Sequence, residues 1–203
     1  MSSNVQKNAP LLVVISGPSG VGKDAVIAKL RETHPEIFFA VTATTRPIRA
    51  GEVEGRDYFF ITPSRFAQLL ALGEFLEHAE VYGRQYGVPK DPLRSALAEG
   101  HDAVVKVDVQ GAMTIQTLAP GAFLVFLAAP SLEELERRLT SRKTDSPGQL
   151  AIRIQTARDE MEQSKSFDAV IINETGALIQ TVEAIVEAIQ NQRADTSRRP
   201  VLL

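Results

Sequence analysis

Residues 11–23 read LLVVISGPSGVGK, a continuous apolar run that passes directly into a glycine-rich turn. A run this apolar and this rich in β-branched side chains belongs to a strand covered on both faces. The turn satisfies the spacing G-x-x-x-x-G-K with Gly17, Gly22 and Lys23, and the residues that follow, DAVIAKLRE, set Val26, Ile27 and Leu30 on one helical face. Strand, glycine loop and helix in that order bring main-chain N–H groups, the partial positive charge of a helix start and one ammonium to a single point, which suits a polyphosphate anion. The plain alternative is a glycine-rich turn without a ligand, for which buried strand, glycine spacing and lysine must all coincide.

The same rhythm recurs downstream. AVVKVDV (103–109), FLVFLA (123–128) and DAVIIN (168–173) read as further buried strands. SLEELERRLTSR opens with a capping box, Ser131 and Glu134, and stacks Leu132, Leu135 and Leu139 on one side. The last helix repeats Leu178, Val182, Ile185 and Ile189, and the polar NQRADTSRR beyond it reads as a frayed tail. Strands alternating with helices imply an α/β fold with a parallel sheet covered on both sides. Two stretches break the pattern. From Thr42 to about Pro89 the chain is polar and turn-rich, with a short helix capped by Thr62, opened by Pro63 and ended before Gly73. It reads as an insertion that binds something. TSRKTDSPGQLAIRI, from Thr140 to Ile154, is a second polar interruption able to close over a ligand.

Composition narrows the function. At 203 residues the chain is long enough for one well-buried domain. It has no cysteine, which excludes disulfides and thiolate metal sites, and its three scattered histidines disfavour a zinc centre. A formal net charge of -3 argues against generic nucleic-acid binding, while leaving room for local arginine clusters that face phosphate groups. The opening MSSNVQKNAP lacks the apolar core of a secretory signal, and no later run is long enough to span a membrane. The expectation is a cytoplasmic protein without membrane or nucleic-acid partners, monomeric or homodimeric.

Beyond the loop, the chain resembles the guanylate kinases, which move the terminal phosphoryl group of ATP to GMP. The resemblance runs from about Leu11 to Ile189 and rests on SGPSGVGK, TTRPIRAGEVEGRDYFF, GEFLEHAEVYGRQYG, VDVQGA, and LERRLTSRKTDS followed by Arg153. It implies a P-loop NTPase-type three-layer α/β fold in one domain, 10–190. The core spans 10–41, 90–137 and 155–190, the GMP-binding insertion 42–89 and the small lid 138–154, with flexible tails at 1–9 and 191–203. It further implies that ATP, with Mg²⁺, meets Gly17, Pro18, Ser19, Gly20, Val21, Gly22, Lys23, Asp24 and Ala25, with Asn173 near the adenine. Arg46, Arg49 and Tyr58 are implied to hold the phosphate of GMP. Glu77 is implied to accept from the guanine edge, and Thr42, Tyr86, Gly87 and Asp108 to contact the same nucleotide. Lys23, Arg46, Arg138, Arg142 and Arg153 are the implied catalytic cations. His78, beside Glu77, reads as structural or exposed.

Several positions depart from the family pattern. Asp24 stands where Ser, Thr or Gly is expected, Ala25 replaces a threonine, Val88 replaces a hydroxyl near guanine, and Lys106 replaces an acid while Asp108 is kept. Strand alternation sets Lys106 and Asp108 on one face. One reading is a relocated charge, in which Asp24 serves Mg²⁺ directly or through water and Lys106 neutralises the added negative charge. The other is independent drift, with Mg²⁺ held by phosphates and water. Two other functions stay open: a guanylate-kinase-like module that binds protein without catalysis, and a kinase for another phosphorylated acceptor.

Overall fold

The computed structural model describes residues 9–81, 83–141 and 147–203. β1 (Leu12–Ser16) is buried along its whole length, as its apolar sequence requires, and α1 (Lys23–Thr33) follows the glycine loop. Next come β2 (Phe38–Phe39), β3 (Ala43–Thr44), β4 (Phe59–Phe60), α2 (Pro63–Ala71), β5 (Phe75–Val81) and β6 (Arg84–Pro89). α3 (Lys90–Ala98), β7 (Ala103–Lys106), α4 (Val109–Leu118), β8 (Phe123–Ala128) and α5 (Leu132–Thr140) follow. The chain closes with α6 (Pro147–Glu162), β9 (Ala169–Ile172) and α7 (Leu178–Ala194).

Five strands form a parallel sheet in the order β2-β7-β1-β8-β9. Alternation along β1 sorts its side chains onto the two faces. Val13 and Ile15 join Val26, Leu30, Leu135, Ile185 and Ile189 of α1, α5 and α7, whereas Leu12 and Val14 join Leu93 and Ile115 of α3 and α4. Helices therefore cover both faces, and the three-layer α/β expectation holds. This arrangement leaves the carboxyl ends of β1 and β7 side by side, with Ile15 in register with Lys106.

The insertion is more ordered than its turn-rich sequence suggests. β4, β3, β6 and β5 form a second sheet in that order, with β6 antiparallel to both β3 and β5. α2 packs on it through Phe66 and Phe75, whose rings stack at 4.4 Å. Its ends match the sequence reading: Thr62 Oγ1 accepts from the Arg65 N–H at 3.1 Å, and Gly73 has φ 69.

Three expectations are corrected. The strand read through Val109 ends at Lys106, because Asp108 leaves the ladder and caps α4, its Oδ1 accepting from the Gly111 N–H at 2.7 Å. The face-sharing argument for Lys106 and Asp108 goes with it. The capping box of α5 is half formed: Ser131 accepts from the Glu134 N–H, but the Glu134 carboxylate turns to Arg137, Arg138 and Thr175. The C-terminal segment is docked, since α7 runs to Ala194 and Val201 and Leu203 pack on the second core cluster. Gly121 lets it approach, for a Cβ there would stand 2.5 Å from the Pro200 carbonyl oxygen. Two separated apolar residues carry no periodic signal, although they can still cover a core cluster.

Candidate active site

The loop after β1 depends on glycine. Gly17 and Gly22 have φ 144 and 99, and a Cβ on Gly17 would stand 2.2 Å from the Leu127 carbonyl oxygen. Pro18 is buried and Val21 closes a turn on it, donating its N–H to the Pro18 carbonyl at 3.3 Å. Lys23 Nζ donates to the carbonyls of Gly17 at 2.5 Å and Pro18 at 3.1 Å. Burial pulls its pKa below the usual lysine value, against the pull of the Glu160 and Asp24 carboxylates.

A face of α6 packs on this loop. Arg153 Nη2 donates to Ser19 Oγ at 3.0 Å, and the Ser19 N–H donates to Glu160 Oε2 at 3.2 Å. Arg153, buried Ala157 and Glu160 recur at helical spacing, which brings all three to one side. Burial holds the Glu160 carboxyl above the usual carboxylate range. Glu160 carried no sequence signal, being one acid among several on a polar helix.

On the outer side, Gly20, Gly22, Ala25, Arg138, Asn173 and Thr175 line a groove of about 260 Å³. Asn173 is buried and committed to the fold: its Nδ2 donates to the Val21 carbonyl at 2.7 Å and its Oδ1 accepts from Thr181 Oγ1 at 3.0 Å. Arg138 donates to the Val21 carbonyl at 3.3 Å, the Asn173 carbonyl at 2.9 Å and Glu134 at 2.8 Å. It braces the loop from outside and is more than a surface partner of Glu134. Hydrogen bonds from Arg137, Thr175 and Arg138 hold the Glu134 carboxyl well below its usual range. Arg142 lies outside the described residues.

The insertion gathers a second polar cluster. Arg46 is buried, forks onto Glu52 at 2.7 and 2.8 Å, and lies over the Tyr58 and Phe60 rings at 5.0 and 5.5 Å. The fork raises the Arg46 pKa and lowers that of Glu52 to about 2. Tyr86 meets Tyr58 edge-on at 6.0 Å. Arg49 is exposed beside them, its backbone N–H donating to Glu52 at 2.7 Å. Glu52 was missed in the sequence, since one acid in a mixed-charge loop does not announce its partner. Gly87 is buried against Phe75, where a Cβ would stand 2.7 Å from the ring, so packing explains this glycine.

Glu77 and Asp108 approach from different elements. A Cβ on Gly111 would stand 3.1 Å from Val107 Cβ, 3.2 Å from Glu77 Cδ and 3.3 Å from Asp108 Oδ1, so only glycine lets the two carboxyls approach α4 here. Burial first, and the Asp108 charge second, push the Glu77 carboxyl up to about 7. His78 is exposed. Thr42 and Tyr58 line a cleft of about 230 Å³ together with Asp24, Lys106, Arg31 and Arg56. Across it Lys106 Nζ donates to Asp24 Oδ1 at 2.5 Å. A wider concavity of about 700 Å³, between α1, β2, α3 and the insertion, holds none of the glycine-loop residues.

A glycine loop whose lysine follows a buried parallel strand, together with an insertion that sets Arg46 over Tyr58, is an arrangement suited to phosphoryl transfer between nucleotides, the chemistry of the nucleoside monophosphate kinases. The guanylate kinase family model matches residues 9–192. A chloroplastic/mitochondrial guanylate kinase 2 of Oryza sativa is 44% identical over 95% of this chain and 68% of its own length. The guanylate kinase of Thermobifida fusca is 46% identical over 80% of this chain and 83% of its own. The crystal structure of guanylate kinase from Anaplasma phagocytophilum superposes with a TM-score of 0.74 at 31% identity, covering 94% of this chain and 90% of that one. The chain belongs to the guanylate kinase family, whose reaction is ATP:GMP phosphotransfer.

Proposed function

We propose that the glycine loop takes ATP, that the Arg46–Tyr58–Tyr86 cluster takes the phosphate of GMP, and that Glu77 reads the guanine. The observation that carries this reading is the half-buried Glu77 carboxyl, set beside Asp108 at the start of α4. Once ionised, a carboxylate only accepts hydrogen bonds, which suits the N1–H and 2-amino donors of guanine; adenine leaves it buried and unpaired.

The protein's part in the reaction is positioning and charge. Loop amides and Lys23 hold the donor phosphates, and Arg153 reaches Ser19 from α6. Glu52 pre-sets the Arg46 fork, and with Pro47 taking the second Nη1 hydrogen, an acceptor phosphate would be met from the Nε and Nη2 side of the guanidinium, beside Tyr86. Magnesium supplies charge neutralisation to the phosphates when bound. Among the described residues no group of three His, Asp or Glu side chains could hold a metal ion. The donor set therefore suits an ion held chiefly by phosphate oxygens and water.

The test is ADP release from ATP with GMP, dGMP, IMP and AMP as acceptors, over a range of magnesium concentrations. GMP and dGMP should be used alike, IMP less well for want of the 2-amino group, and AMP at least about a hundredfold worse. Equal use of AMP would remove Glu77 from its role.

A further inference from the structure

We propose that Lys106 is a phosphoryl-contacting cation of this chain, and that Asp24 is its positioning residue rather than a magnesium ligand. The inference rests on the reading that the cleft binds both nucleotides.

The geometry comes from two neighbouring elements. β7 ends at Lys106, level with Ile15 of β1, and the Val107 N–H still donates to the Ile15 carbonyl at 3.3 Å. Lys106 thus stands at the carboxyl end of the parallel sheet, where α/β proteins receive ligands. Asp24 lies in the first turn of α1, directly after Lys23. Their 2.5 Å contact bridges the strand and the phosphate-loop helix, in a cleft also lined by Thr42 and Tyr58. Lys106 is close enough to Lys23 to oppose its charge, and Asp24 close enough to support it.

The pair is not a staple of the fold. Its side chains are 42% and 84% exposed, and an ion pair this open contributes little to stability. Its effect grows only when bound nucleotides displace water from the cleft. An unpaired carboxylate beside Lys23 would repel a polyphosphate. Bonded to Lys106 it is neutralised, and it holds in place an ammonium with two N–H groups left for phosphoryl oxygens. With its charge offset by Lys106, the carboxylate is a weaker partner for magnesium than a free one.

The test uses Lys106→Met, Lys106→Arg and Asp24→Asn, each compared with the parent chain by thermal melting, by calorimetric titration of ATP in a metal chelator, and by turnover against magnesium concentration. Lys106→Met should melt with the parent, bind metal-free ATP about tenfold more weakly and lose about tenfold or more in kcat. Lys106→Arg should recover to within a few-fold of the parent. Asp24→Asn should bind metal-free ATP no more weakly and lower kcat, with half-saturating magnesium within about twofold of the parent. A tenfold rise in that magnesium requirement would make Asp24 a metal ligand and overturn the proposal. So would a Lys106→Met chain that matches the parent in every measurement while the parent phosphorylates GMP. A parent that binds neither nucleotide would instead defeat the functional reading itself.

Discussion

Val88 stands directly opposite Glu77 across the β5–β6 pair, so an apolar side chain shares a face with the carboxyl proposed to read the acceptor base. Burial, with the Asp108 charge behind it, lifts that carboxyl to about 7. The ionised form is the one proposed to pair with guanine, so GMP affinity should fall as pH drops below about 7, and Glu77→Gln should flatten the profile. The folding linkage has the opposite direction. Without nucleotide the raised pKa contributes stability that is full below the ordinary value of 4.5 and lost as pH rises through about 7. Melting curves of the parent and Glu77→Gln across that window check the sign.

Gly111→Ala should damage the acceptor site selectively. The added methyl would stand 3.2 Å from Glu77 Cδ, and one misplaced methyl in a tight pocket changes specificity by about tenfold or more. KM for GMP should rise by that factor while ATP binding, measured by titration, stays with the parent.

Glu160 occupies a main-chain donor of the glycine loop, the Ser19 N–H, which a phosphate oxygen also needs. Glu160→Gln keeps an acceptor oxygen there and removes the charge. ATP should bind about threefold or more tightly to this variant at neutral pH. Weaker binding would mean that the carboxylate supports the loop instead of competing with the nucleotide.

Asn173 links the last strand of the sheet to the loop. Asn173→Ala leaves the buried Val21 carbonyl without that donor and Thr181 without that acceptor, which should destabilise the fold by about 1–3 kcal/mol in denaturant unfolding. Adenine discrimination should change little, because both ends of the amide are already bonded within the protein.

What the sequence revealed follows the range of the forces involved. β1, the glycine loop and α1 were legible because apolar periodicity and glycine spacing act over a few residues. The Phe123–Ala128 strand matched its expected ends for the same reason. β3 was not legible: it is two residues long and exists through pairing with β6, as in Ala43 with Gly87. Asp108 was misread because a cap and a strand end look alike until the Gly111 N–H is in view. The Arg46 fork on Glu52 and the Glu160 contact are tertiary pairings, which no spacing rule contains. The departures at Asp24 and Lys106 were visible singly, but their contact required β7 to lie beside β1.

The most direct measurement is a phosphorus NMR spectrum of the protein mixed with ATP, GMP and magnesium. Resonances of GDP and ADP should grow together in equal amounts, and ADP should form at least about a hundredfold more slowly when AMP replaces GMP. A folded sample that leaves ATP and GMP unchanged at every magnesium concentration would contradict the assignment of this cleft to phosphoryl transfer.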